Sequence, residues 1–489
     1  MVGSRVLCSD AVARITSDKR CGERATEQFA PNLARLEIDM RQMALIGFLQ
    51  AQNCSNFSFS WRHPDSRTDF TSPDYYAHIA RVLEEGKFHM AFFDDRLGMP
   101  EYEGGAYQDA IENGIRCIKM DPMATLMPMA MATTNLGLGA TMSTTYYEPF
   151  HVARMFATFD LMTKGRAAWN IVTSLNDTEA RNMGRDGSIA HDLRYDRADE
   201  FVEIVMGHWD TWADDALIVD KQSKRFGDGS KVKRLDYQGQ YLKSRGPFTV
   251  PRSEQGHPVL IQAGSSGRGQ KFGADWGELI FVVYPNLEVA KKNYAGLKEQ
   301  CAATGRDPDT MKIAHLINPF VAETRAEAED KLALVETLPI EADSLMLLSE
   351  ALNFDFGSKP LDEPFTREEL DSMTGLHAMR DRVIEVRGPA PTIRDFIEVT
   401  ERGRVRDPWV GSVTEIADRM EEWFTTPACD GFVIAASCVP GTYEDFVRLV
   451  VPELQRRGLH HKDYAGTTLR ENLGFVRPEV GAWKHRSNA

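Results

Sequence analysis

LGLGATMSTTYYEPFHVARMFATFDLMTKGRAAWNIVT, residues 136–173, reads as a strand (Leu136 to Thr145), a helix (Pro149 to Met162) and a second strand (Ala168 to Thr173). That is the rhythm of a parallel βα unit. Upstream, the same rhythm gives strands at Met43 to Leu49 and His89 to Phe93, with a helix near Tyr75 to Glu85 between them. Asp121 and Pro122 read as the N-cap and first residue of a further helix, with Met123, Met127 and Met131 on one face as core packing. Downstream, Ala198, Phe201, Val202, Val205 and Trp209 mark the inner face of a fourth helix. Strands follow at Pro258 to Gly264, Leu279 to Val283, Lys312 to Val321 and Gly431 to Ala436, and Tyr443 to Arg457 reads as the last helix. Ser412 with Glu415 signals a capping box before VTEIADRMEEWF.

Eight strands alternating with eight helices, and no ninth strand, predict an α/β fold: a (β/α)8 TIM barrel with two insertions and terminal extensions. A doubly wound open sheet is the alternative. The barrel domain spans 40–458, with insertions at about 214–257 and 337–411 and a tail at 459–489. The first insertion is charged, glycine-containing and locally basic, and KVKRLDYQGQYLKSRG suggests a hairpin. Residues 1–39 lack a convincing period and are expected to be a disordered extension. The surplus over one barrel is assigned to these segments and not to a second core.

Composition narrows the function. The chain has 489 residues, 42% apolar and 26% charged, with a net charge of −15, so nucleic acid and anionic membranes are disfavoured partners. Seven cysteines without a CxxC pair argue against a disulfide framework or a structural zinc site, and no metal is expected. No apolar run is long enough for a membrane span and no secretory signal is evident, so a cytoplasmic protein is expected. HExxH, GxSxG and Walker spacings are also missing.

On a barrel the site lies where the strands end. VLIQAGSSGRGQKF runs from a strand through Gly264, Ser265, Ser266, Gly267, Arg268 and Gly269 into a helix, the makings of a phosphate cradle, or else a plain turn. Its GxxGxG spacing is not the dinucleotide fingerprint, so the ligand suggested is a mononucleotide or other phosphomonoester. Asp95 closes the second strand and serves either a heterocyclic N–H or a helix cap; Thr141 lies where LGLGAT lets a planar ring approach the backbone. His191 and Tyr195, four apart at a helix start, face one ligand if His191 is more than a surface histidine.

WRHPDS, the block from LGLGATMSTT to EARNMG, HDLRYDRADEF, PVLIQAGSSGRGQKF, VVPELQRRG and TLRENLG together resemble the bacterial luciferase-like flavin monooxygenases, in the nitrilotriacetate monooxygenase component A and dibenzothiophene sulfone monooxygenase branch. The resemblance implies a TIM barrel that holds FMN through Asp95, Thr141, His191, Tyr195, Ser265 and Ser266. It implies that reduced FMN from a separate NAD(P)H:flavin reductase activates dioxygen, one atom entering a small sulfur-, nitrogen- or halogen-containing compound and the other leaving as water. A homo-oligomer is expected. Phe48 and Phe92 are candidates to wall the pocket, and His191 and His63 are candidates for proton transfer, each with a packing or surface role as the alternative. Asn56 stands where the sulfone branch often has histidine, and Arg96 suggests either an anionic substrate or a salt bridge. Rival readings are a deazaflavin-dependent oxidoreductase of the same superfamily, a non-catalytic flavin-binding protein and a flavin-free phosphate-binding lyase or hydrolase.

Overall fold

Period-two alternation sorts the strand residues into those that fill a barrel and those that meet its helices. On β1 (Ala44–Gln50), Ala44 and Ile46 join the interior cluster while Leu45 and Leu49 pack outward on Tyr75, Ile79 and Leu83 of α1 (Pro73–Glu85). On β2 (Met90–Asp94), Met90 and Phe92 point in and Ala91 and Phe93 point out. The pattern continues through β3 (Gly137–Ser143), β4 (Ala167–Val172), β5 (Val259–Gln262), β6 (Leu279–Val282), β7 (Lys312–Ala322) and β8 (Gly431–Ala435), with α3 (Pro149–Met162) joining β3 to β4. Each strand pairs in parallel with the next, and β8 pairs with β1, so the eight close into a barrel. The doubly wound sheet is thereby excluded.

This computed structural model describes residues 41–50, 52, 57–102, 106–264 and 266–485. The expected disorder of 1–39, Asn56 and the candidate Ser265 lie outside the described residues. The described residues from 43 onward form one compact unit. Among the described residues no helix is long and apolar enough to cross a membrane.

Three expectations need correction. A ninth parallel strand exists, Pro408–Ser412, inside the second insertion. It pairs with Asn318 to Ala322 of β7, whereas β7 pairs with β8 only over Ala314 to Ile317. Pro319, which has no N–H to donate, falls where β7 leaves the barrel ladder. The second insertion also has an apolar cluster of its own, in which Phe356, Phe365 and Phe396 meet edge to face at 5.2–5.6 Å. Finally, Met131 is 85% exposed, and Thr125, Leu126 and Met129 form the buried side of α2 (Pro122–Ala132). Steps of four residues drift about 40° around a helix each time, which carries Met131 off the face that Met123 and Met127 share.

The first insertion contains the expected hairpin, Tyr237–Gln238 with Lys243–Ser244, and a second one, Leu217–Asp220 with Arg225–Gly227. The second insertion is tied to the loop after β1: Asp343 binds Arg62 at 2.6 Å and Ser58 at 3.1 Å, and Arg62 also donates to Leu338 O at 3.0 Å. Residues 469–475 form the barrel floor. Leu469, Leu473 and Phe475 pack into the interior cluster, and the buried Arg470 guanidinium grips Glu278 with two bonds of 2.8 and 2.9 Å. Glu278 accepts from Leu260 N as well, so the pair joins the tail to β5 and the start of β6.

Because a buried charge stripped of its partner is strongly destabilising, Arg470→Met is expected to cost about 3–5 kcal/mol. Removing both charges in Arg470→Met with Glu278→Gln should restore most of that. Urea denaturation of the two variants checks the difference.

Candidate functional site

The inward alternation delivers a polar layer to the C-terminal mouth of the barrel. Phe48 and Gln50 end β1, and the β1–β2 register sets Gln50 beside Asp94. Gln50 Nε2 donates to Asp94 at 3.0 Å, and the Lys119 ammonium reaches the same carboxylate at 3.2 Å. Register likewise sets Thr141 beside Asn170, whose Nδ2 donates to Thr141 Oγ1 at 2.9 Å while Thr141 donates to Phe93 O at 2.8 Å. Asn170 Oδ1 is buried and lacks a protein partner. A buried acceptor left over at the mouth suits a ligand N–H.

Beside this layer two helix starts converge. α4 (His191–Trp209) begins at His191, and α5 (Gly267–Trp276) is capped by Ser266, whose Oγ accepts from Gly269 N at 3.0 Å. His191 Nε2 lies 3.2 Å from the same Oγ, and its Nδ1 lies 2.8 Å from Asp192. Tyr195 packs between His191 and Phe272, with ring centroids at 5.1 and 5.6 Å. Glycine is needed here for space: a Cβ on Gly264 would lie 2.9 Å from Gly269 Cα, and one on Gly269 would lie 2.8 Å from the Tyr195 hydroxyl. Both helix dipoles present their positive ends, which favours a phosphate. Arg268, paired with Asp196 at 3.3 Å and set over the Tyr195 ring, binds α5 to α4.

A cavity of about 280 Å³ opens over β1, β2, β6 and β7. Phe48, Gln50 and Asp94 line it, with Tyr284 and His315 opposite and the segment from Thr400 to Trp409 as its outer wall. Phe48 is thus among the residues that line this cavity. Phe92 is not among them: it is 2% exposed, pointing into the barrel between Phe48 and Phe281 at 5.6 and 4.9 Å. Asp94, not Asp95, is the β2 carboxylate on the cavity wall, because alternation carries Met90, Phe92 and Asp94 to one side. The strand period could have found Asp94 and Gln50 in the sequence. Asp95 is half-buried just past β2, where burial raises its carboxyl to about 7, opposed by Lys119 and aided by Asp94. His63 stands apart, lining a separate cavity of about 170 Å³ with Pro319, Ser437 and Asp445, and its Nδ1 accepts from Asp65 N at 3.1 Å. Burial lowers its pKa below the ordinary histidine range. Of the two roles considered for Arg96, the salt bridge is the one observed: it reaches Glu350 at 3.3 Å and Asn176 Oδ1 at 2.8 Å.

Replacing Gly264 by alanine forces backbone against backbone, with an expected loss of about 1–3 kcal/mol of stability in a thermal melt. The raised Asp95 pKa has a defined sign: the folded state holds a proton that the unfolded chain releases, so its contribution to stability falls as pH rises from about 4 through about 7. Asp95→Asn should flatten that fall when denaturation midpoints at pH 5 and pH 8 are compared with the parent chain.

Residues 54–428 match the family described as luciferase-like monooxygenase. The chain is 41% identical over 457 residues to the dibenzothiophene-sulfone monooxygenase of Rhodococcus erythropolis, covering 90% of this chain and 98% of that one. It is 38% identical over 428 residues to the nitrilotriacetate monooxygenase component A of Aminobacter aminovorans, covering 86% and 94%. A riboflavin lyase solved with modified FMN and riboflavin superposes with a TM-score of 0.81 at 31% identity, covering 91% of this chain and 100% of that one. The chain belongs to the luciferase-like monooxygenase family and is an enzyme of that family.

Proposed function

We propose that this chain is the oxygenase of a two-component system, using reduced FMN supplied by a separate NAD(P)H:flavin reductase to oxygenate a small organic compound. The observation that carries the reading is the meeting of His191 and Ser266 at 3.2 Å across two helix starts, over a turn in which Gly264 and Gly269 leave no room for a Cβ. A flavin phosphate suits that cradle, held by the N–H groups of α5 with Ser265, Ser266, His191 and Tyr195 around it. The unpartnered Asn170 Oδ1 beside Thr141 suits the polar edge of a flavin ring, and Phe48 offers an apolar face to the same mouth. The residues present fit FMN.

Bound in reduced form, FMN supplies the electrons with which dioxygen delivers one oxygen atom to the substrate and one to water. The protein's work is binding, orientation and exclusion of bulk water. Phe48, Tyr284, Trp409 and Trp423 give the cavity an apolar lining for that purpose. Asp95, with a pKa of about 7, is suited to hold or release a proton at its carboxyl near neutral pH. The relatives are named for dibenzothiophene sulfone in one case and for nitrilotriacetate in the other, which supports a small sulfur-, nitrogen- or halogen-containing substrate for this chain.

Replacing Ser265 and Ser266 together by alanine should weaken FMN binding by about 1–3 kcal/mol, two charge-assisted hydrogen bonds being lost. Flavin fluorescence titration reads the affinity, and a parallel melt separates it from the lost helix cap, worth about 1 kcal/mol. His191→Ala should raise peroxide leakage when a generic reductase supplies reduced FMN. Unchanged affinity and unchanged leakage would remove the cradle from the mechanism and favour a flavin-free or deazaflavin enzyme.

A further inference from the structure

The cavity over Phe48 is basic in an acidic protein. Among the described residues lining it, arginines outnumber carboxylates six to three, while the chain as a whole carries −15. Several of these arginines are already matched. Arg96 and Arg116 both reach Glu350, at 3.3 and 2.9 Å, and Arg406 meets Asp407 at 3.5 Å. Burial pushes the Glu350 carboxyl up, but Arg96, Arg116 and Arg402 outweigh it and hold its pKa at about 2.

Arg402, Arg404 and Arg419 are left over, and Arg402 is the one of them set into the wall. Its Nε makes a long 3.4 Å contact to Leu347 O, and among the described residues no carboxylate forms an ion pair with it. The backbone that carries it is tightly fixed. Helix Ile393–Thr400 stops at Glu401 with φ 49°, and Gly403, with φ 74°, presses so closely on Asp343 and Ser344 that a Cβ would lie 2.7 Å from their backbone. Arg402 N donates to Thr400 Oγ1 at 3.2 Å. Burial drives the guanidinium down to about 9, with Arg116 and Arg96 adding repulsion that Glu350 only partly offsets. Around it, Arg404 lies at the exposed rim and Arg419 sits 4.0 Å from the Trp409 ring centroid. The rest of the wall is flat and aromatic: Tyr284 stacks on His315 at 6.1 Å and His315 on Trp423 at 4.4 Å. His315 Nδ1 and Asn318 Oδ1 are buried there without a protein partner.

We propose that Arg402, with Arg404 and Arg419, receives the acidic group of the substrate, an organic anion with a carboxylate or sulfonate whose apolar body lies along Phe48 and Tyr284. A guanidinium without an ion-pair contact of its own, beside a carboxylate already shared by two other arginines, is stabilised in a partly desolvated cavity by an anion in a planar, two-bonded geometry that a neutral ligand cannot offer. Calling the ligand a substrate rests on the oxygenase reading above; the anion site does not.

The test uses the full chain without flavin and reads its intrinsic tryptophan fluorescence, since Trp409 and Trp423 line the cavity. Benzoate and benzenesulfonate are titrated against neutral benzamide. The anions should bind about tenfold or more tightly than benzamide, as charge-assisted bonds do relative to neutral ones. Arg402→Gln should erase most of that difference and Arg402→Lys should keep part of it. If Arg402→Gln does not fold, Arg404→Gln at the rim and added salt should each weaken benzoate several-fold and leave benzamide unchanged. Preference between the two anions assigns carboxylate or sulfonate chemistry. Equal affinity for benzoate and benzamide, undiminished benzoate binding in Arg402→Gln, or displacement of benzoate by FMN would overturn the proposal. Failure of FMN to bind while benzoate behaves as expected would remove the oxygenase reading and leave the anion site standing.

Discussion

Hydrogen bonding along the outer half of β7 decides the shape of everything above the barrel. The eight-stranded cylinder ends near Ile317, but β7 continues to Ala322 and presents a fresh edge beyond the rim. An unpaired edge that long is unstable in water, and Pro408–Ser412 covers it. To reach that edge, the preceding chain must pass across the barrel mouth, and in doing so it lays Thr400 to Trp409 down as a wall. The cavity thus follows from a strand that is five residues too long for its barrel.

Charge is arranged on two scales. The overall excess of acid governs long-range encounters and is screened within about 10 Å at moderate salt. The mouth is insulated from it by pairing: Glu350 gathers Arg96 and Arg116, and Asp94 gathers Lys119 and Gln50. What such networks leave unmatched, Arg402 and the Asn170 and His315 acceptor atoms, is what a bound molecule meets.

Much of the cylinder was legible because it rests on local signals. Period-two runs at Met43 to Leu49 and Gly431 to Ala436 and the helix spacing of Ala198, Phe201, Val202 and Val205 need no partner to be read. The glycine turn at 264–269 was legible for the same reason, and its close approach to Tyr195 is the three-dimensional counterpart of that spacing. What escaped depends on partners far along the chain. PWVGS is too short to signal a strand until β7 supplies the other half of its ladder. Asp94 could be read from the period of β2, but that Phe48 lines the cavity while Phe92 is covered between Phe48 and Phe281 depends on neighbours from other strands. Arg402 carries no motif at all; its meaning comes from Glu350 being already occupied.

The floor of the barrel bears on how the protein is made. Leu469, Leu473, Phe475 and the Arg470–Glu278 clasp come from the last stretch of the chain, yet they plug the interior formed by strands from its beginning. On the ribosome, all eight strands are synthesised before the plug is. The nascent barrel waits with its apolar lumen open at the bottom and Glu278 without its arginine, so the interval before residues 469–475 leave the exit tunnel is when the chain most needs protection from aggregation.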